Sequence, residues 1–366
     1  MYPENELYVP MLKAKQGELN ALSHLKDGAQ CLLKPFLDIP RPTDVTGVDV
    51  YLKKVSGKIG QAWGGEDTFY VDLSDFPLQL RCGNGRHPLA VCHESLHEVG
   101  GKPIPVYGFD RDDDYLRAIC RLPELGRWGL CVRLDEDDFV SEEELGGRIN
   151  QLLTLTGLSM RDVDILIDLR SIIAVSPQAL MGIARRGVAW VLGIGRFRSI
   201  TLAASNFPKD VSGVRRDSVG FVERREFALW QEIHEAFSRQ VRVRFGDYGI
   251  VHPDFVGGII APNRNAKIRY TLESSWMIVR GHAVNETQGA IQNPELSETL
   301  VSRREFLGPQ FSWGDDYINK CAAREVGPGN PTTWVSVDTS HHLALTSSQV
   351  ANAVQVITRA TEGARV

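Results

Sequence analysis

The chain has 366 residues, 43% hydrophobic and 24% charged, with a net charge of −5. This balance supports a sizeable globular core and excludes a generally basic nucleic-acid binder, though a local basic patch remains compatible with it. No apolar run approaches the roughly 20 residues of a spanning helix, so no membrane association is expected. The opening MYPENELYVPMLKAKQGE lacks the apolar length and small-residue cleavage site of a signal peptide. Cys31, Cys82, Cys92, Cys120, Cys131 and Cys321 form no CxxC pair, which predicts reduced thiols and a cytoplasmic location.

Short β-rich apolar runs alternate with helical patterns. The first strand is predicted over Leu7 to Ala14, followed by a helix over Gly17 to Leu25 with Leu19, Leu22 and Leu25 on one face. The second strand spans Cys31 to Leu37, with its helix over Val45 to Ile59, and the third Thr68 to Leu73, with its helix over Pro88 to Val99. The fourth is Ile104 to Phe109, and the acids Asp112 to Asp114 then open a helix at the positive end of its dipole. The fifth, Gly129 to Leu134, precedes a helix opened by Ser141 with Glu144 three residues on, a capping-box spacing. The sixth, Asp164 to Leu169, leads to a helix over Pro177 to Leu192, and the seventh, Ser199 to Ala204, to a helix over Phe221 to Ser238. The eighth is Val241 to Phe245.

Eight strands separated by helices in about 245 residues have the rhythm of a (β/α)8 TIM-type barrel. The rival is a doubly wound open sheet, weakened because no GxGxxG turn follows the first strand. After Gly249 the rhythm stops, dividing the chain into a barrel over 1–250 and an α+β extension over 251–366 packed on it. The extension reads as an apolar glycine-rich run over Gly257 to Pro262, then an antiparallel pair at Ile268 to Leu272 and Trp276 to Val279. Helices follow over Asn293 to Phe306 and Asp315 to Arg324, then a loop over Gly327 to Pro331, a strand over Trp334 to Val337, and a closing helix over Ser347 to Ala360.

Barrel enzymes carry their reactive groups at the C-terminal ends of the strands. Those ends hold Lys13 and Lys15, Asp38, Asp72, Arg133, Asp168 with Arg170, Ser205, and Asp247 with Tyr248. Residues two apart share a strand face, so Lys13 and Lys15 point together, as do Asp168 and Arg170. YVDLSD, ILIDLRS and RFGDYG each set an aspartate directly after an apolar run, where a carboxylate is costly unless paired or coordinated. Two readings satisfy that cost: a salt-bridged structural network, and a pocket in which Arg and Lys bind an anion while Asp72, Asp168 and Asp247 act as base or hold Mg²⁺ or Mn²⁺. Lys13, if desolvated among cations, would also suit a Schiff base.

Two histidine motifs compete with that mouth. His93-Glu94-Ser95-Leu96-His97 matches HExxH, which on a helix sets two zinc ligands on one face with Glu94 as base. The segment lies on an outer helix, Glu98 follows the second histidine, and a third ligand would have to come from somewhere such as Asp112 or Glu124, which nothing marks, so a polar helix face accounts for it more simply. His341-His342 follows the glycine loop, where one ring would lean over the mouth as acid or base, against a plain loop packed on the barrel. Arg224-Arg225 falls on a predicted outer helix and reads as a solvated face.

An ordered set of segments resembles the bacterial and phage "beta protein" family. The segments are YVPMLKAKQGELNAL, IDLR, LAASNFP, FGDYG, IRYTLESSWMIVRG and GPGNPTTW followed by HH, and they span nearly the whole chain. They contain Lys13, Lys15, Glu18, Asp168, Arg170, Asp247, Arg269, Tyr270, Arg280 and His341, which overlap the strand-end residues. The resemblance implies a phage or phage-defence setting and brings no reaction with it. Together these readings predict a barrel enzyme acting on a phosphate-bearing substrate, a nucleotide or nucleic-acid end. Its catalytic groups would be Asp72, Asp168, Asp247, Lys13 and His341; Lys15, Arg133, Arg170, Tyr248, Arg269 and Arg280 would bind substrate. The alternatives are a non-catalytic adaptor or inhibitor that binds a protein partner through the C-terminal layer, and a zinc peptidase at His93 and His97.

Overall fold

The structure, a computed structural model, describes residues 6–25, 27–42, 47–65, 67–254, 265–283 and 292–363. Its strands are β1 (Tyr8–Lys13), β2 (Phe36–Asp38), β3 (Thr68–Asp72), β4 (Lys102–Gly108), β5 (Leu130–Leu134), β6 (Val163–Ser171), β7 (Ser199–Ser205), β8 (Ser218–Glu223), β9 (Val243–Asp247), β10 (Asn265–Thr271) and β11 (Ser275–Ala283). All but β8, β10 and β11 pair in parallel and close as a barrel in the order β1-β2-β3-β4-β5-β6-β7-β9. Helices Gln16–Ser23, Val48–Ala62, Pro88–Glu98, Asp113–Cys120, Glu142–Thr156, Pro177–Ile194 and Arg225–Phe237 fall between successive barrel strands. This is the (β/α)8 fold, and its parallel strands are apolar on both faces because each is covered twice. The inner faces pack Val9, Met11, Phe36, Tyr70, Ile104, Val106, Cys131, Leu166, Ala203 and Tyr248 together. The outer faces, with Val163, Ile165, Ile167 and Phe245 among them, meet the helices.

Local chemistry starts the helices where expected. The Asp112 carboxylate accepts the Tyr115 N–H, and the Ser141 and Ser176 hydroxyls accept the N–H groups of Glu144 and Ala179. Pro177 sits in the first turn, where no N–H is needed.

The structure corrects the reading of the C-terminal region. Trp334 to Val337 is no strand; it lies in a helix running Pro331–Gly363, which also absorbs the predicted closing helix. The signal is Asn330-Pro331: the Asn330 side chain accepts the N–H groups of Thr332 and Thr333 at 2.9 and 3.1 Å, capping the helix, and proline occupies its first turn. This helix supplies the barrel's missing eighth helix. Its Leu343, Val350 and Val354 join the core formed by the outer strand faces. It also packs along helix Gln16–Ser23, closely enough that a Cβ on Gly17 would lie 2.6 Å from Val335 Cγ1. The final stretch of the predicted extension is therefore part of the barrel wall.

Between β9 and that helix lies a second layer. Strands β10, β11 and β8 form an antiparallel sheet in the order β10-β11-β8, backed by helices Asn293–Val301 and Trp313–Ala322. The β10–β11 pair was expected; the recruitment of β8 from within 1–250 was not, and it takes the first residues of the helix predicted from Phe221. The second barrel strand is only Phe36–Asp38, since it begins after Pro35, and the eighth extends to Asp247. The glycine-rich run Gly257 to Pro262 lies outside the described residues.

Candidate functional site at the barrel mouth

Side-chain parity places the charges. On β6, Asp164, Leu166 and Asp168 alternate inward, so one aspartate closes each end of the barrel around an apolar middle. At the N-terminal end Asp164 is buried and accepts from Arg198 at 2.9 and 2.5 Å, Ser199 at 2.6 Å and Tyr70 at 2.7 Å. Burial alone would raise its carboxyl, but Arg198 reverses that and holds it well below the ordinary range. This end is sealed by paired charge and reads as structural.

At the C-terminal end Arg133 from β5 joins several strands. Its guanidinium donates to Asp168 at 2.9 and 2.7 Å, to Asp72 at 2.9 Å and to the Tyr248 hydroxyl at 3.2 Å. Tyr248 in turn donates to Asp168 at 2.5 Å. Asp72 also accepts from Arg111, at 3.2 and 3.4 Å. Against the upward push of burial, Arg111 and Arg133 keep the Asp72 carboxyl below its usual value. Next to it, Lys13 donates to Asp38 at 2.5 Å and to Asp75 at 3.1 Å. Although burial opposes it, Asp38 raises the Lys13 ammonium above its ordinary value. Burial pushes the Asp38 carboxyl up to about 6 against the pull of Lys13, and the carboxylates of Asp72 and Asp75 add to the rise. One Asp38 oxygen, Oδ1, is buried without a hydrogen-bond partner.

Arg170 ends this arc. It has φ +51°, the left-handed region that a non-glycine side chain seldom enters, at a break in the β6–β7 register. The bend aims its N–H at Asp168 Oδ1, 2.9 Å away, and its guanidinium at Asp254, 2.8 Å away. Such distortion recurs beside functional sites. His252 covers the same side, 3.1 Å from the Ser171 hydroxyl. Lys15 stands at the start of helix Gln16–Ser23, and burial lowers its ammonium pKa although Glu18 opposes the shift. The cavity under this cover is small, 10 Å³, lined by Met11, Lys13, Phe36, Asp38, Tyr248 and His252 among others.

The mouth thus unites Lys13, Asp72, Arg133, Asp168, Arg170 and Tyr248, as the strand ends predicted, with Lys15 at its edge. Four predicted site residues lie elsewhere. Asp247 points outward, because Gly246 is the inward residue at that point of β9: a Cβ there would lie 2.8 Å from Ala203 Cβ. Asp247 accepts from Tyr8 at 2.7 Å and contacts His342 Nε2 at 3.0 Å, while His342 Nδ1 lies 2.9 Å from the Thr271 hydroxyl. Burial holds His342 below the usual histidine pKa, so a neutral ring that donates from Nε2 to Asp247 and accepts from Thr271 fits these two contacts. This cluster seams β1 and β9 to the eighth helix. His341 is buried in the second layer, stacked on Tyr270 with centroids 3.7 Å apart and 2.9 Å from Asp315. Arg269 pairs with Asp338 at 2.8 Å, and Arg280 binds the carbonyls of Val211, Ser212 and Val214.

A metal held jointly by Asp72, Asp168 and Asp247 is incompatible with these directions. Among the described residues no group of three or more His, Cys, Asp or Glu is placed to hold a metal ion. The HESLH segment fares no better. His93 is buried and burial drives it down to about 3, with Nε2 unpartnered. Glu94 pairs with Arg86 at the surface, Asp112 serves as a helix cap, and Glu124 pairs with Arg127. The residues missed from the sequence are Asp75, Asp110, Arg111, His252 and Asp254, all in loops after strands.

The class is therefore a (β/α)8 barrel with a charge-paired C-terminal mouth and its eighth helix returned from beyond an inserted layer. The chain belongs to the Beta protein family, whose model matches residues 8–347. Among curated proteins none matches. No helix among the described residues is long and apolar enough to cross a membrane.

Proposed function

We propose that this barrel is an enzyme acting on a phosphate-bearing substrate, a nucleotide or a nucleic-acid end, at its C-terminal mouth. The observation that carries the reading is the convergence of Lys13, Arg111 and Arg133 on the fully buried carboxylates Asp72 and Asp168 and the largely buried Asp38, with the Arg170 guanidinium beside them on Asp254. Guanidinium groups match phosphate oxygens bidentately. Asp38, at about 6, exchanges a proton near neutrality and is the general acid or base of this reading. Mg²⁺ or Mn²⁺ enters it only as a companion of the substrate's phosphates. A phage-defence setting and a cytoplasmic location belong to the same reading, supported by the motif resemblance and by six cysteines that are all unpaired.

The test is thermal shift with nucleoside mono-, di- and triphosphates, with and without Mg²⁺. A ligand at 100 times its Kd adds about 2.7 kcal/mol of stability. Stabilisation of the wild type, lost in Arg133→Met, is expected, and Asp38→Asn should bind without turning over. No stabilisation by any of these ligands would remove the reading. It would favour the non-catalytic adaptor, which the 10 Å³ cavity and the paired charges of the mouth also support.

A further inference from the structure

Three basic residues at the mouth divide their bonds between an inner and an outer carboxylate, Lys13 and Arg111 through the side chain alone and Arg170 through its backbone N–H and its guanidinium. Lys13 holds Asp38, 15% exposed, and also Asp75, which is 38% exposed. Arg111 holds fully buried Asp72 through Nη2 and Asp110, 62% exposed, through Nη1. Arg170 gives its backbone N–H to buried Asp168 and its guanidinium to Asp254, 44% exposed, which Lys209 also reaches at 3.2 Å. The inner carboxylates stand on β2, β3 and β6, fixed by the barrel's own ladder. The outer ones stand on loops after β3, β4 and β9.

The two sets differ in what it costs to remove them. A buried carboxylate stripped of its partner costs several kcal/mol. A half-exposed pair is worth about 0–1 kcal/mol, so the outer carboxylates exchange readily. A phosphate oxygen offers the same donors the same charge-assisted bond. Each outer carboxylate therefore sits where an anionic ligand oxygen would sit if the ligand used those donors.

We propose that Asp75, Asp110 and Asp254 occupy the anion positions of a ligand carrying at least two phosphoryl groups, which binds by displacing them. The inference rests on the anion-site reading above. The donors come from β1, the loop after β4 and the end of β6, spread around the ring, so one phosphoryl group does not replace all three carboxylates, and a ligand with two phosphoryl groups offers oxygens to more than one of them. The loop carboxylates then compete with the ligand, and neutralising them tightens binding.

The experiment is calorimetric titration of inorganic pyrophosphate and inorganic phosphate at low ionic strength. It compares the wild type with Asp75→Asn, Asp254→Asn, the double variant and Glu298→Gln. Glu298 pairs with Arg324 on the second layer, so its substitution makes the same charge change away from the mouth. Each single mouth variant is expected to bind pyrophosphate about two- to fivefold more tightly, the gain expected from removing a half-exposed ion pair. The double variant should approach the product of the two gains. Glu298→Gln should match the wild type, and phosphate should gain less than pyrophosphate. Pyrophosphate binding to the wild type with no gain over Glu298→Gln overturns the displacement and leaves the anion site standing. No binding by any form overturns both.

Discussion

Replacing Arg133 by Met is the sharpest perturbation of the mouth. The change keeps the side chain's length and removes its charge from between two buried carboxylates, Asp72 and Asp168, both with fully buried side chains. Leaving a buried charge wholly unpaired costs about 3–5 kcal/mol. Here each aspartate keeps something. Asp72 retains Arg111 at 3.2 Å, and Asp168 retains Tyr248 at 2.5 Å and the Arg170 N–H at 2.9 Å. The expected loss is therefore reduced to about 2–4 kcal/mol in urea unfolding at pH 7. The triple variant Asp72→Asn, Arg133→Met, Asp168→Asn removes the charges together and should recover most of that loss, because a buried ion triad is often replaceable at little cost. It should not recover ligand stabilisation. A loss below about 1 kcal/mol in the single variant, the range of a surface pair, would refute the buried network as the organising feature of the mouth.

Two further outcomes follow from other buried groups. His93 has its pKa pushed down to about 3, below the unfolded value near 6.5. The unfolded chain therefore takes up the proton first as pH falls, so the stability associated with a neutral His93 is full above pH 6.5 and is lost toward pH 3. The loss runs at about 1.4 kcal/mol per pH unit, about 2 kcal/mol by pH 5. Urea midpoints measured from pH 7 to 5 should fall less steeply for His93→Leu, and parallel curves would contradict this assignment. Asp247→Ala should cost about 1–3 kcal/mol for each of the two buried donors it leaves without an acceptor, the Tyr8 hydroxyl and the His342 N–H. Its phosphate-ligand affinity should stay unchanged, because Asp247 faces away from the mouth. A loss of affinity with stability intact would return Asp247 to the site.

The barrel was legible because parallel strands buried on both faces leave short apolar runs at regular intervals. Lys13, Asp72, Arg133, Asp168 and Arg170 were legible because each closes such a run, where the fold gathers its loops. What failed was parity and distance. In RFGDYG the inward residue between Arg244 and Tyr248 is glycine, which presents no side chain to mark its face, so Asp247 was grouped with Tyr248 although the two point oppositely. Arg111 lies in a loop, where periodicity says nothing about direction. The eighth helix could not be assigned because an inserted layer separates it from β9. Its start was nevertheless written locally, in Asn330-Pro331, a cap signal outweighed by the β-rich look of Trp334 to Val337.

The central claim is that the C-terminal mouth binds phosphate through the bases now held by loop carboxylates. A crystal structure of the protein soaked with a nucleoside diphosphate tests it most directly. The account predicts phosphate oxygens at about 3 Å from Lys13 Nζ and the Arg111 or Arg170 guanidinium, the reach of a charge-assisted bond, with Asp75 or Asp254 turned away. A mouth unchanged at saturating ligand, with every loop carboxylate still on its base, would contradict it.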